Sequence, residues 1–184
     1  LIIGGIKLMV KPNEGQRLKL ENLRGIVVGI MMDMSVWQQH EIEPLLKINL
    51  GLLRRNATQR HGVTKWKCGI TSEQVSLENL EVVELHPELL NEEWSAYAAF
   101  VLHHEFIHAL GYRNHDKFFR LMEKSWPGIN AANDGPRFTE YLRWKTAKWI
   151  WKCSKCNKEF PRKKPSLGAY KCRKCSTVLV DVKM

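Results

Sequence analysis

The stretch Asn91-Glu92-Glu93-Trp94-Ser95-Ala96-Tyr97-Ala98-Ala99-Phe100-Val101-Leu102-His103-His104-Glu105-Phe106-Ile107-His108-Ala109-Leu110-Gly111 decides how this chain is read. No proline or glycine interrupts it before Gly111. Asn91 is a good N-cap, Glu92 and Glu93 suit the positive end of a helix dipole, and Gly111 is a natural stop, so the spacing predicts one helix. Inside it, His104 and His108 stand four residues apart and therefore on one helix face, where both imidazoles can reach one metal ion. Glu105, offset by one position, falls outside that ligand pair and can serve as a general base toward water at the ion. Tyr97 and Val101 continue the histidine face upstream and keep it largely apolar.

A catalytic zinc needs a third protein ligand and an open fourth position. His115 is the candidate, because the turn at Gly111 lets the chain double back toward the helix. The alternative is that His115 only opens the next helix behind Asn114. His103 points about 100° away from His104 around the helix and suits a core or supporting role. His40, His61 and His86 are isolated and are expected on the surface or in the core. For an oxyanion partner the sequence suggests only Tyr112.

Outward from this helix the pattern is α+β. Residues 1–33 alternate short apolar runs with turn material (Lys7–Val10, Leu18–Leu20, Gly25–Ile30) and read as two or three short strands. From Ser35 to about Arg60 the spacing turns helical, with Pro44 as a possible break. Thr64–Ile70 and Leu80–Leu85 read as strands. Shorter helices are expected from Asp116 to Ser125 and from Pro136 to about Lys148. The chain thus divides into a β-rich segment at 1–33, a body at 34–148 and a small module at 149–184.

That module carries a second constellation. Cys153-x-x-Cys156 and Cys172-x-x-Cys175 supply four thiolates as two knuckles, the pattern of a structural zinc ribbon. A redox role for either pair lacks a surrounding βαβ pattern. The fifth cysteine, Cys68, stands alone, and this usage suits metal thiolates in a reducing compartment rather than a disulfide framework. No apolar run approaches the roughly 18 residues needed to cross a bilayer. Residues 1–6 lack the basic start and cleavage site of a secretory signal. The expected location is cytoplasmic, on the nucleoid in a prokaryote, with no membrane partner.

The net charge of +10 is concentrated in the same module: from Arg143 onward there are thirteen Lys/Arg and two acids, while the first 142 residues come to −1. A four-thiolate zinc offsets about two units of this. Lys155, Lys158, Arg162, Lys163, Lys164, Lys171, Arg173 and Lys174 surround the knuckles, interleaved with Phe160 and Tyr170. They are the candidate nucleic-acid contacts, cations for phosphates and aromatics for unpaired bases. Alternatively, Phe160 and Tyr170 pack within the ribbon, the basic residues form a solvated face, and Trp144, Trp149 and Trp151 dock the ribbon on the body.

The order of an α+β body, His104-Glu105-x-x-His108, a downstream His115-x-x-x-Phe119 and a basic two-knuckle ribbon resembles SprT-like zinc metallopeptidases, from about Trp37 onward. Trp66–Ile70, Val83–Leu90 and His115–Phe119 are similar to the family's strands and third-ligand segment. The link from His108 to His115 is short for that family and closer to the related WLM and YgjP-type zincins. The resemblance implies a zincin-like fold, hydrolysis of peptide bonds with Glu105 as base, and a substrate backbone added to a strand edge near Cys68–Ile70. It also implies DNA as the ribbon's partner and DNA-bound or DNA-crosslinked proteins as substrate, the repair role of the animal relative Spartan. The competing classes are a nucleic-acid-binding zinc protein with an inactive or structural H-E-x-x-H site, and a peptidase whose basic tail binds other acidic partners.

Overall fold

The computed structural model describes residues 11–128 and 130–184. The chain is α+β and divides into two compact units, Leu1–Asp134 and Gly135–Met184. The division falls before the expected boundary near 148, so the last helix lies with the ribbon rather than with the body.

In the first unit, residues 14–33 are not strands. They form helix α1 (Glu14–Asp33), nucleated by a capping box in which Gln16 N donates to Asn13 Oδ1 at 2.8 Å and Asn13 N donates to Gln16 Oε1 at 3.0 Å. Its buried residues Leu20, Val27, Val28 and Met31 lie on one helical face, a period that local alternation at Leu18–Leu20 conceals. The expected strand at Lys7–Val10 lies outside the described residues. The long helix expected from Ser35 is replaced by two 3-10 turns, Ser35–Trp37 and Glu43–Lys47, and by strand β1 (Leu50–Leu52). Pro44 sits in the first turn of the second piece, and the buried Leu52 lies in register with Leu85 of a neighbouring strand.

Strand β3 (Leu80–Leu85) takes the expected bounds and is central, parallel to β1 and antiparallel to β2 (Gly62–Trp66). β2 is thus an edge strand. It ends at Trp66, four residues before its expected end, and Cys68–Gly69 form a turn with Gly69 at φ +84°. The edge the sequence placed at Cys68–Ile70 is therefore β2 itself. Helix α2 (Ser95–Ala109) packs on α1, β2 and β3 through fully buried Leu102 and Phe106. It begins later than expected, because Asn91 precedes a 3-10 turn (Glu92–Trp94) and its amide donates to Glu88 instead of capping α2. Helix α3 (Lys117–Lys124) then packs back against α2.

The second unit contains α4, whose bounds are Asp134–Thr146, and a three-stranded antiparallel sheet with β4 (Trp149–Lys152) between β5 (Glu159–Arg162) and β6 (Val180–Lys183). Its small core is Cys153, Cys172 and Leu179, with Trp151, Phe160, Cys156 and Cys175 packed around them. No helix among the described residues is long and apolar enough to cross a membrane.

Candidate metal centres and their surroundings

The end of α2 is built to turn the chain back on itself. Gly111, at φ +102°, donates to His108 O at 2.9 Å, and Tyr112 N donates to Ile107 O at 3.3 Å, the paired bonds of a Schellman motif. Asp116 then caps α3, its Oδ1 accepting from Phe118 N at 2.9 Å and Phe119 N at 3.0 Å. Between these two fixed points His115 is brought over the α2 histidines. His115 Nε2 lies 3.1 Å from His108 Nε2 and 3.3 Å from His104 Nε2. Ligand nitrogens on a tetrahedral zinc with bonds of about 2.05 Å stand about 3.3 Å apart, so the three rings match the edges of such a site.

The other ring nitrogens set the tautomers. His104 Nδ1 donates to Glu123 Oε1 at 2.7 Å, and His108 Nδ1 donates to the carbonyl of Tyr112 at 2.8 Å. With both Nδ1 atoms protonated, the two Nε2 lone pairs point at one locus beside the third ring. Such lone pairs repel one another unless a cation lies between them, and so the donor set fits zinc. Phe119, fully buried, lies beneath all three imidazoles with ring centroids 4.5 to 4.9 Å away. Glu123 is in turn gripped by Arg120 at 2.7 Å. Burial works to raise its carboxyl, but the hydrogen bonds and charges of His104 and Arg120 together outweigh burial and bring it down to about 2.

Glu105 is 6% exposed, under strand β2. Thr64 Oγ1 donates to Glu105 Oε2 at 2.8 Å and to its carbonyl at 2.9 Å, tying the carboxylate to the edge strand. Burial raises its carboxyl above the ordinary range, against the opposing pull of Thr64 and of His104. No ion pair holds it among the described residues. Gly62 is required here: a Cβ at that position would stand 2.7 Å from Glu105 Cγ and Oε1 and 2.9 Å from Val101 Cγ1.

A cleft of about 560 Å³ opens beside the histidines, lined by Gly111, Tyr112, Arg113, Asn114 and Asp116, with Arg113 set over the Trp66 ring. Tyr112 is not a free oxyanion donor. Its carbonyl orients His108, and its hydroxyl is bonded to His40 Nε2 at 2.8 Å, which makes His40 a neighbour of the site rather than an isolated residue. His103 is fully buried, stacked on Trp126 and edge-on to Trp37, and takes a core role. His61 Nδ1 lies 2.6 Å from the Tyr97 hydroxyl, and His86 Nδ1 accepts from Glu88 N. Neither joins the cluster. Thr64, Gly62 and Glu123 carry no signal in the sequence that marks them for this site; only the i, i+4 spacing of Phe119 and Glu123 on α3 hints at one.

In the ribbon, Cys153, Cys156, Cys172 and Cys175 bring their sulfurs within 4.8 Å of one another. Cys156 Sγ and Cys172 Sγ stand 3.7 Å apart, close to the roughly 3.8 Å edge of a tetrahedron with 2.3 Å bonds. The two knuckles repeat one geometry: Asn157 and Ser176, each following the second cysteine, both sit at φ +55° and donate to the carbonyls of Cys153 and Cys172. Amides of Lys174 and Cys175 directed at the Cys172 sulfur lower its thiol to about 7, favouring the thiolate. The two groups of three or more ligand-type side chains able to hold a metal ion, among the described residues, are these.

Lys155, Lys158, Lys163, Lys164, Lys171, Arg173 and Lys174 are all exposed, and Arg162 is partly so. Trp151 stacks on Tyr170 at 4.5 Å, and the Arg162 guanidinium lies 4.8 Å from the Trp151 ring. Tyr170 remains 54% exposed, whereas Phe160 packs on the cysteine core. Trp151 thus packs within the ribbon. No family model, curated protein or solved structure matches the chain.

Proposed function

We propose that the chain is a zinc-dependent endopeptidase of SprT-like type that cleaves DNA-associated proteins, DNA–protein crosslinks among them. The reading is carried by one observation: three Nε2 atoms, two of them with tautomers fixed by Glu123 and the Tyr112 carbonyl, converge on the same helix that presents Glu105. His104, His108 and His115 hold the ion in this reading. Zinc, when bound there, supplies a Lewis acid that polarises a carbonyl and acidifies a water. Glu105 would take a proton from water at the site and pass it to the leaving amine, and burial raises its carboxyl above the ordinary range. Edge strand β2, whose outer side is unpaired with any strand among the described residues, offers backbone groups to an extended substrate.

The ribbon supplies location. Its exposed cations pair with phosphates, and the half-exposed Tyr170 offers a face to an unpaired base. A second reading, a nucleic-acid-binding protein with a structural three-histidine site, draws on the near-complete burial of Glu105. Zinc analysis coupled to cleavage separates them. The peptidase reading expects two zincs per chain and cleavage of a DNA-bound protein that rises with DNA and falls as salt releases the ribbon. Two zincs with no cleavage in any DNA context leaves the second reading in place.

A further inference from the structure

The cleft beside the histidines holds one charged group that the proposed chemistry does not use. Its walls are Gly111, Tyr112, Arg113, Asn114 and Asp116, from the segment that carries the chain from the end of α2 past His115 to the start of α3. Arg113 is exposed, and no ion pair holds it among the described residues. The other charges nearby are engaged. Asp116, the one acid in the lining, accepts through Oδ1 from Phe118 N and Phe119 N, and Arg120 is paired with Glu123.

What holds Arg113 is a ring. Its guanidinium carbon lies 5.9 Å from the ring centroid of Trp66, the half-buried last residue of edge strand β2. A guanidinium laid on an aromatic face leaves the N–H donors at its planar edge free for an acceptor. The register of β2 shifts between Lys65 and Trp66, and such an irregularity re-aims the side chain that follows it. A polypeptide added along β2 therefore meets the Trp66–Arg113 pair as the strand ends.

The lining decides the kind of side chain that fits. None of the five residues is aliphatic, so an apolar group gains little there. A cationic side chain would be repelled by Arg113. A single cation is also a poor match to a nucleic-acid backbone, whose phosphates take a row of them. A carboxylate fits, because its two oxygens match the parallel N–H donors of a guanidinium.

We infer that Arg113, backed by Trp66, is a specificity-determining residue that selects a glutamate or aspartate side chain beside the scissile bond of the substrate. This deepens the peptidase reading and rests on it.

The test maps the bond cut by the full zinc-loaded chain in an unstructured reporter polypeptide tethered to DNA. The residues adjoining that bond are then replaced one at a time by Glu, Gln or Lys. At one position wild type is expected to prefer Glu over Gln by about five- to tenfold in kcat/KM, as a hydrogen-bonded charge pair in an exposed cleft allows, and to disfavour Lys. Arg113→Gln, checked for two zincs per chain, is expected to bring the Glu-to-Gln ratio to about one. Arg113→Glu is expected to turn the preference to Lys, a gain that a misfolded protein cannot show. Equal rates on Glu and Gln at every position in wild type, or a glutamine variant that keeps the wild-type ratio, overturns the inference and leaves the peptidase reading standing. Faster cutting of a reporter that ends at the favoured position overturns it too, since the group bound would then be a chain terminus. A wild-type chain that cuts no reporter overturns the peptidase reading beneath it.

Discussion

The hydroxyl of Thr64, on the edge strand, donates to the carboxylate of Glu105, on helix α2, at 2.8 Å, and so fixes the proposed general base from outside its own helix. Two elements distant in sequence thereby set one side chain. Thr64→Val removes the hydrogen bond to the charged form and leaves the buried carboxylate with one fewer partner, which raises its pKa further. The acid limb of the pH–rate profile is expected to move to higher pH, with activity at neutral pH falling about tenfold or more. Thr64→Ser is expected to behave like wild type, and a valine variant with an unshifted profile would remove this role.

Gly62 sets how closely the strand approaches that carboxylate. Gly62→Ala places a methyl group 2.7 Å from Glu105 Cγ and Oε1. Relief requires moving β2 or Glu105, a cost of about 1–3 kcal/mol by analogy with overpacked cores. Urea unfolding measures the loss. Activity should fall with it, whereas alanine at Gly25, whose Cβ meets nothing within 4 Å, should be neutral or mildly stabilising.

Glu123 holds the His104 ring through Nδ1, away from the converging Nε2 atoms. Glu123→Gln keeps a hydrogen-bond acceptor and loses the charge, and zinc affinity at the three-histidine site is expected to fall about 10–100-fold. Competition with a chelator of known affinity reports it. Zinc affinity at the four cysteines of the other unit should be unaffected, and chelation there should melt that unit's small core.

Acid should destabilise the body before its carboxylates titrate. Burial lowers His103 from 6.5 to about 3, and burial with His86 lowers His61 from 6.5 to about 4. A depressed histidine favours the folded state at high pH. That stability is present in full above the unfolded value of 6.5 and drains as pH falls toward the folded values. Each unit is worth about 1.4 kcal/mol, less for His61, which is partly exposed. Denaturation midpoints measured from pH 7 to 4 should decline steadily, and His103→Phe should flatten part of that slope.

Much of the centre was legible in sequence because its rules are local. The four-residue spacing of His104 and His108, the turn at Gly111 and the knuckle spacings depend on few residues, and His115 followed from them. Burial of Glu105 was not legible, since it comes from β2, forty residues upstream. The N-terminal residues misled because apolar pairs such as Leu18 and Leu20 suit a strand, while the capping box at Asn13 and Gln16 and the face formed by Leu20, Val27 and Met31 decide for a helix. The stretch from Ser35 misled in the opposite sense: its apolar spacing is helical, but Pro44 and the pairing of Leu50–Leu52 with β3 override it.

The central claim is tested most directly by incubating wild type and Glu105→Gln, each carrying two zincs, with a DNA-bound protein in water enriched in oxygen-18. Peptide-bond hydrolysis by this site predicts fragments whose new C-termini carry the heavy label with wild type, and a loss of at least about a thousandfold with the glutamine variant. Equal cleavage by both proteins, or no labelled fragment from wild type, would contradict it.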